Sequence, residues 1–122
     1  MSTGRRQVVL VEDDMGMAEA IQRVLTNSGF DVTSFESAEA ALQDHRTMDA
    51  RCLVLDIHMP GVSGFQLYER LLASGRKPAV VFITARDHVS HRDRASQLGA
   101  LGFFLKPFSI HELGAVISKA FE

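Results

Sequence analysis

Apolar residues fall into five short runs along the chain, beginning near Val8, Phe30, Cys52, Ala79 and Phe103, and the segments between them carry apolar residues at helical spacing. A run of four or five apolar residues between polar ones reads as a strand, and a repeat at three and four residues reads as one face of a helix. The pattern therefore predicts strand and helix in alternation, five times over. VVLV (8–11), CLVL (52–55) and AVVFI (79–83) are apolar without interruption, as strands covered on both faces of a parallel sheet should be. FDVTSF (30–35) and GFFL (102–105) are mixed or short, which suits the two sheet edges.

Helix ends are also written in the sequence. Met17, Ile21, Val24 and Leu25 share one face, and Gly29 stands where a left-handed residue would end that helix. Ser63-x-x-Gln66 and Ser109-x-x-Glu112 are capping-box patterns; the first precedes Leu67, Leu71 and Leu72, the second Leu113, Ile117 and Phe121. Ser37 is placed to cap a short helix over 38–43. The fourth helix, about 88–98, is predicted to be the least anchored, because HVSHRDRASQL offers only Val89, Ala95 and Leu98 as apolar contacts.

A chain of 122 residues with 46% hydrophobic content fits one domain, 1–122, and no linker or low-complexity stretch divides it; residues 1–6 are expected to be flexible. The single cysteine, Cys52, cannot form an internal disulfide and reads as a small buried thiol. The first apolar run is too short for a signal peptide or a membrane span, so a cytoplasmic protein without membrane contact is expected. A net charge of −2 with no long basic run gives no electrostatic footprint for direct nucleic-acid contact by this domain.

In an open parallel α/β sheet the chemistry gathers at the carboxyl ends of the strands. Strand one exits into Glu12-Asp13-Asp14, strand three into Asp56, strand four into Thr84 and strand five into Lys106-Pro107. Singly, each has a modest explanation: Asp14 a helix cap, Thr84 a turn residue, Lys106 a solvated charge. Together on one edge, several carboxylates repel one another and call for a cation. Oxygen donors with no His or Cys ligand pattern suit a hard ion, and Mg²⁺ fits best; a lone loop histidine such as His58 reads as solvent-facing. A cation, a lysine and a hydroxyl around Asp56 are what phosphoryl transfer to a carboxylate nucleophile needs, so an aspartyl phosphate is the expected product.

LVEDD, LDIHMPGVSG, FITA and FFLKPF occur in that order, and over residues 7–121 the chain resembles the receiver domain of two-component response regulators, most of all the FixJ/NarL type. The resemblance implies a flavodoxin-like (βα)5 three-layer sandwich with strand order 2-1-3-4-5. It implies a signalling switch, not an enzyme acting on other substrates, phosphorylated on Asp56 by a sensor histidine kinase with Mg²⁺ as cofactor. It assigns the metal to Glu12, Asp13, Asp56 and the His58 backbone carbonyl. Thr84 and Lys106 would contact the phosphoryl group, with Lys106 across the site from the acidic pair, and Phe103 would be the switch aromatic. The bond to Pro107 would be cis. The output face would be helix four, strand five and helix five, serving a phosphorylation-dependent homodimer, a separate effector or a C-terminal DNA-binding domain that controls transcription. The chain's end suits either a free-standing receiver or a piece of a longer regulator.

Three departures from the usual receiver pattern stand out. Glu12 stands where aspartate is common, Phe103 where tyrosine is frequent, and His58 and Arg86 flank the site two residues past Asp56 and Thr84. Three other functions compete for the same residues. A haloacid-dehalogenase phosphohydrolase carries its nucleophile after strand one in a D-x-D pattern, where this chain has EDD and no cap insertion. A flavodoxin would need a phosphate-binding loop where this chain is acidic. A degenerate receiver would lack a site residue, and none is missing.

Overall fold

The computed structural model describes residues 6–122. Strands β1 (Arg6–Val11), β2 (Phe30–Phe35), β3 (Cys52–Asp56), β4 (Ala79–Thr84) and β5 (Gly102–Leu105) form one parallel sheet in the order β2-β1-β3-β4-β5. The three uninterrupted apolar runs are its centre and the two mixed ones its edges. Alternation along the strands sends Val9, Val11, Leu53, Leu55, Val80 and Phe82 to one face. Val8, Leu10, Cys52, Val54, Val81 and Ile83 go to the other.

Helices α1 (Met15–Asn27) and α6 (Ile110–Ser118) cover the second face, α6 running into a 3₁₀ turn at Lys119–Phe121. Helices α2 (Ala38–Leu42), α4 (Gly64–Ala73) and α5 (Val89–Gln97) cover the first, with the short α3 (His45–Asp49) after α2. The sheet is thus the middle of three layers, the flavodoxin-like arrangement. The capping serines act as read: Ser37, Ser63 and Ser109 accept from the backbone N–H of Ala40, Gln66 and Glu112, and at Ser63 the Gln66 side chain closes the box. Gly29, at φ 96°, ends α1 in the left-handed region.

Three details differ from the sequence expectation. Helix α3 was not foreseen, because HRTMD has no apolar repeat; it is started by Asp44, whose carboxylate accepts from Arg46 N–H. Val89 is no anchor for α5: it is 73% exposed, leaving Ala95 as the one buried residue of that helix. Arg6, expected among flexible residues 1–6, opens β1 and donates to Ser28 O at 2.8 Å; residues 1–5 lie outside the described residues. Among the described residues, no helix is long and apolar enough to cross a membrane.

Candidate functional site

Strand register assembles one edge. Val11 pairs with Leu55, Asp56 with Ile83 and Thr84 with Leu105, so Glu12, Asp56, Thr84 and Lys106 all leave the sheet at the same end. Backbone bonds extend the ladder past the strands: Glu12 N donates to Phe35 O at 3.1 Å, and Lys106 N to Thr84 O at 2.7 Å. Side chains mounted on these positions inherit the rigidity of the sheet.

Asp56 is 3% exposed. Its Oδ1 accepts from His58 N–H at 3.1 Å and its Oδ2 from Lys106 Nζ at the same distance. Lys106 does not stand across the site from the acidic pair. Its ammonium lies 2.6 Å from Glu12 Oε1, so one cation bridges two buried carboxylates that would otherwise repel. That close ion pair is the partner of Glu12 Oε1. Its other oxygen accepts from Asp14 N–H at 3.0 Å. Asp14 keeps the modest role considered for it: it is the N-cap of α1, accepting from Met17 N–H.

The charges follow the geometry. Burial pushes the Glu12 carboxyl above its ordinary range, Lys106 and the Asp14 N–H offset part of the shift, and Asp56 adds to it. For Lys106 burial works against the charged form, but Glu12 and Asp56 outweigh it and hold the pKa above the usual lysine value. Thr84 is fully buried and its hydroxyl accepts from Arg86 N–H at 3.1 Å, the side chain of Arg86 being exposed. The Lys106–Pro107 bond is cis. Phe103, on β5, is half-buried beneath Arg92.

The oxygens fit a hard divalent cation. Glu12, Asp13 and Asp56 each bring one carboxylate oxygen within 4.8 Å of the other two, with Asp13 exposed and the other two buried. An all-carboxylate set with solvent access through Asp13 is the environment Mg²⁺ favours.

Sequence reasoning missed the company His58 keeps. It is exposed, yet its ring centre lies 4.8 Å from that of His91, which in turn lies 5.2 Å from His88. The signal is the H-x-x-H spacing at 88–91, which lies in a segment with little apolar repeat.

The three-layer α/β sandwich of order 2-1-3-4-5 is the fold of the Vibrio cholerae chemotaxis protein CheY4, which it matches with TM-score 0.85 at 18% identity over 95% of this chain and 98% of that one. The response regulator receiver domain family matches residues 8–118, and the chain belongs to that family. It is 31% identical over 118 residues to the transcriptional regulatory protein FixJ of Bradyrhizobium diazoefficiens, covering 97% of this chain and 58% of FixJ. Among solved structures it is similar to the response regulator StyR, with TM-score 0.84 and 38% identity over 93% of this chain and 58% of StyR. The receiver domain of the Francisella response regulator 1452 gives TM-score 0.88 and 25% identity, covering 96% of this chain and 97% of that one. The chain spans about half the length of the curated relatives it matches.

Proposed function

We propose that this receiver domain takes a phosphoryl group from a sensor histidine kinase onto Asp56. The observation that carries the reading is the setting of the Asp56 carboxylate: nearly buried, bonded to Lys106, with Glu12 and Asp13 oxygens within 4.8 Å. An oxygen of Asp56 forms the new bond to phosphorus as the phosphorus–nitrogen bond of the donor phosphohistidine breaks, and the departing imidazole takes up a proton. Glu12, Asp13, Asp56 and the His58 carbonyl would hold Mg²⁺, which when bound neutralises phosphoryl oxygens. Lys106 is already within hydrogen-bonding distance of Asp56 and supplies a fixed point charge to the transferred group. The hydroxyl of Thr84, now an acceptor for the Arg86 N–H, has its own hydrogen to offer the phosphoryl oxygens once it turns.

The output is a population shift. Moving a switch from mostly inactive to mostly active takes about 5 kcal/mol of differential stabilisation. New hydrogen bonds to a charged group, at roughly 1.5–3 kcal/mol each, reach that size with Thr84 and Lys106 together. Helix α5, with one buried residue, is the element least costly to move. The face of α5, β5 and α6, with Phe103 as its switch aromatic, is then the contact for a second copy or for a transcriptional output domain. The domain acts as a cytoplasmic switch and turns over no substrate other than its own aspartyl phosphate.

Incubation with Mg²⁺ and a small acyl phosphate tests this. The intact protein should gain one phosphoryl mass and Asp56→Asn none. Equal labelling of Asp56→Asn, with no substitute label on Asp13, would overturn the assignment. Beryllofluoride in place of phosphate should change amide exchange most over residues 84–106; a larger change in α1 or α4 would remove the proposed output face.

A further inference from the structure

At the rim of the acidic site stands a second group of ligand side chains, from elements far apart in sequence. His58 lies in the loop after β3, His88 is the N-cap of α5, and His91 belongs to the first turn of α5. His91 is the middle ring, 4.8 Å from His58 and 5.2 Å from His88, inclined to them by 63° and 53°. Imidazoles sharing one tetrahedral ion, each with a nitrogen about 2.0–2.1 Å from it, hold their ring centres roughly 5 Å apart. The Nδ1 of His91 is buried with no hydrogen-bond partner, a polar nitrogen in want of one.

We propose that His58, His88 and His91 form a binding site for a d-block divalent cation, with Zn²⁺ as its representative, separate from the oxygen-lined cluster. Imidazole is a ligand for zinc, copper and nickel, whereas the carboxylates beside it suit magnesium. Of the nearby cations, Arg92 is paired with Asp87 and Arg94 with Glu69, which leaves Arg86 as the charge the ion must approach.

Two observations set this group apart from a solvated polar face. Histidine is a poor N-cap, and His88 makes no side-chain capping bond, so its presence there is not explained by helix initiation. Its side chain is exposed. Among the described residues, only Glu12, Asp13 and Asp56 already hold three ligand atoms within 4.8 Å of one another, and rotation of His88 and His58 about His91 is what the histidines need to match them. The bound ion would tie the first turn of α5 to the loop after β3, giving that helix an anchor its apolar face lacks.

The test uses protein without a histidine tag, in saturating Mg²⁺, titrated with Zn²⁺ by calorimetry and with Co²⁺ by visible absorption. One ion should bind per chain at micromolar concentration, with the absorption of a tetrahedral cobalt centre. His91→Gln and His88→Gln should each weaken binding at least about tenfold. Asp13→Asn should leave it unchanged, and Zn²⁺ should slow amide exchange over 88–98 in unphosphorylated protein. The proposal fails if both histidine variants bind as the parent does, if Asp13→Asn abolishes binding, or if no ion binds below millimolar zinc. His88 is exposed, so a folding defect in His91→Gln would leave the His88→Gln result standing. None of these readouts depends on phosphorylation of Asp56.

Discussion

The guanidinium carbon of Arg92 lies 4.9 Å from the centre of the Phe103 ring, and the Nε of the same side chain donates to Asp87 Oδ1 at 2.9 Å. One arginine thereby joins three elements: the loop that follows Thr84, helix α5 and strand β5. A tyrosine could fix its orientation through its hydroxyl, but Phe103 has none, and the cation above its face is what the structure offers instead. Displacement of the loop after Thr84 would carry Asp87 with it and loosen Arg92 from the ring.

Arg92→Gln should therefore free Phe103 at little cost to the fold. Arg92 is about half exposed, and an exposed cation–aromatic contact contributes roughly 0.5–1 kcal/mol. The stability loss in urea should stay within that range, while the aromatic ¹³C signals of Phe103 should show a larger population of a second rotamer. Asp87→Asn should move the same signals in the same direction, by less. Unchanged Phe103 signals in both variants would mean that the ring is held by β5 packing alone.

Lys106→Met should expose the repulsion that the lysine now hides. The side chains of Glu12 and Asp56 are 0% and 4% exposed, and removing one partner of a buried ion pair costs about 3–5 kcal/mol. The loss should be near the lower figure, since Lys106 itself is 16% exposed. In chelator the variant should melt well below the parent, and Mg²⁺ should raise its midpoint more than it raises the parent's, because the cation binds the folded state alone. Thermal scans with and without Mg²⁺ decide this; a variant that no longer responds to Mg²⁺ would make Lys106 a metal-site support.

Much of this architecture was legible because buried strands and capped helices leave strong local signals. The central strands VVLV, CLVL and AVVFI lie where continuous apolar runs predicted, and Ser63 and Gln66 form both halves of the capping box. The convergence of Glu12, Asp56, Thr84 and Lys106 followed from strand exits, since a parallel sheet sends every carboxyl end to one edge. What was not legible depends on side-chain direction. The ion pair of Lys106 with Glu12, the Arg92 contact with Phe103 and the meeting of His58 with His91 each join residues at least 11 apart, through long side chains. Helix α3 escaped because Asp44 starts it by a local hydrogen bond, with no apolar repeat to announce it.

Gly64 should not tolerate a methyl group. A Cβ there would stand 2.4 Å from Asp56 O, 3.1 Å from Asp56 C and 3.3 Å from Ile57 Cα, all backbone atoms that cannot swing aside. The first residue of α4 is thus pressed onto the carboxyl end of β3, and the close approach fixes where Asp56 sits. Gly64→Ala should cost about 1–3 kcal/mol, as overpacking does. It should also lower the rate of phosphorylation by acyl phosphate more than Gly75→Ala, whose added Cβ would meet nothing within 4 Å but would sit at φ 89°. Urea melts and labelling rates of the two variants, read together, separate steric displacement of Asp56 from general destabilisation.

Tyr68 gives a pH-dependent stability whose sign is fixed by its surroundings. It is 2% exposed, and its hydroxyl donates to Pro78 O at 2.8 Å, tying α4 to the segment that leads into β4. Burial raises its pKa above the ordinary 10.0, and Cys52, whose own thiol is pushed up to about 12, adds to the shift. Because the folded pKa lies above the unfolded one, the stabilisation is fully present below pH 10 and is lost as pH rises through the folded value. Neutral-pH stability should therefore be insensitive to this group, and the urea midpoint should fall only in the alkaline limb. The chain has one tyrosine and no tryptophan, so phenolate absorbance reports Tyr68 alone. Its titration midpoint should be higher in native protein than in urea-unfolded protein. Tyr68→Phe should lessen the alkaline fall, the buried Cys52 thiol supplying the remainder, and cost roughly 1 kcal/mol at neutral pH, the price of leaving Pro78 O without its donor. A native titration at the ordinary value, with a tyrosine-to-phenylalanine change of no consequence, would mean that the hydroxyl is open to water and the α4 tie is not made.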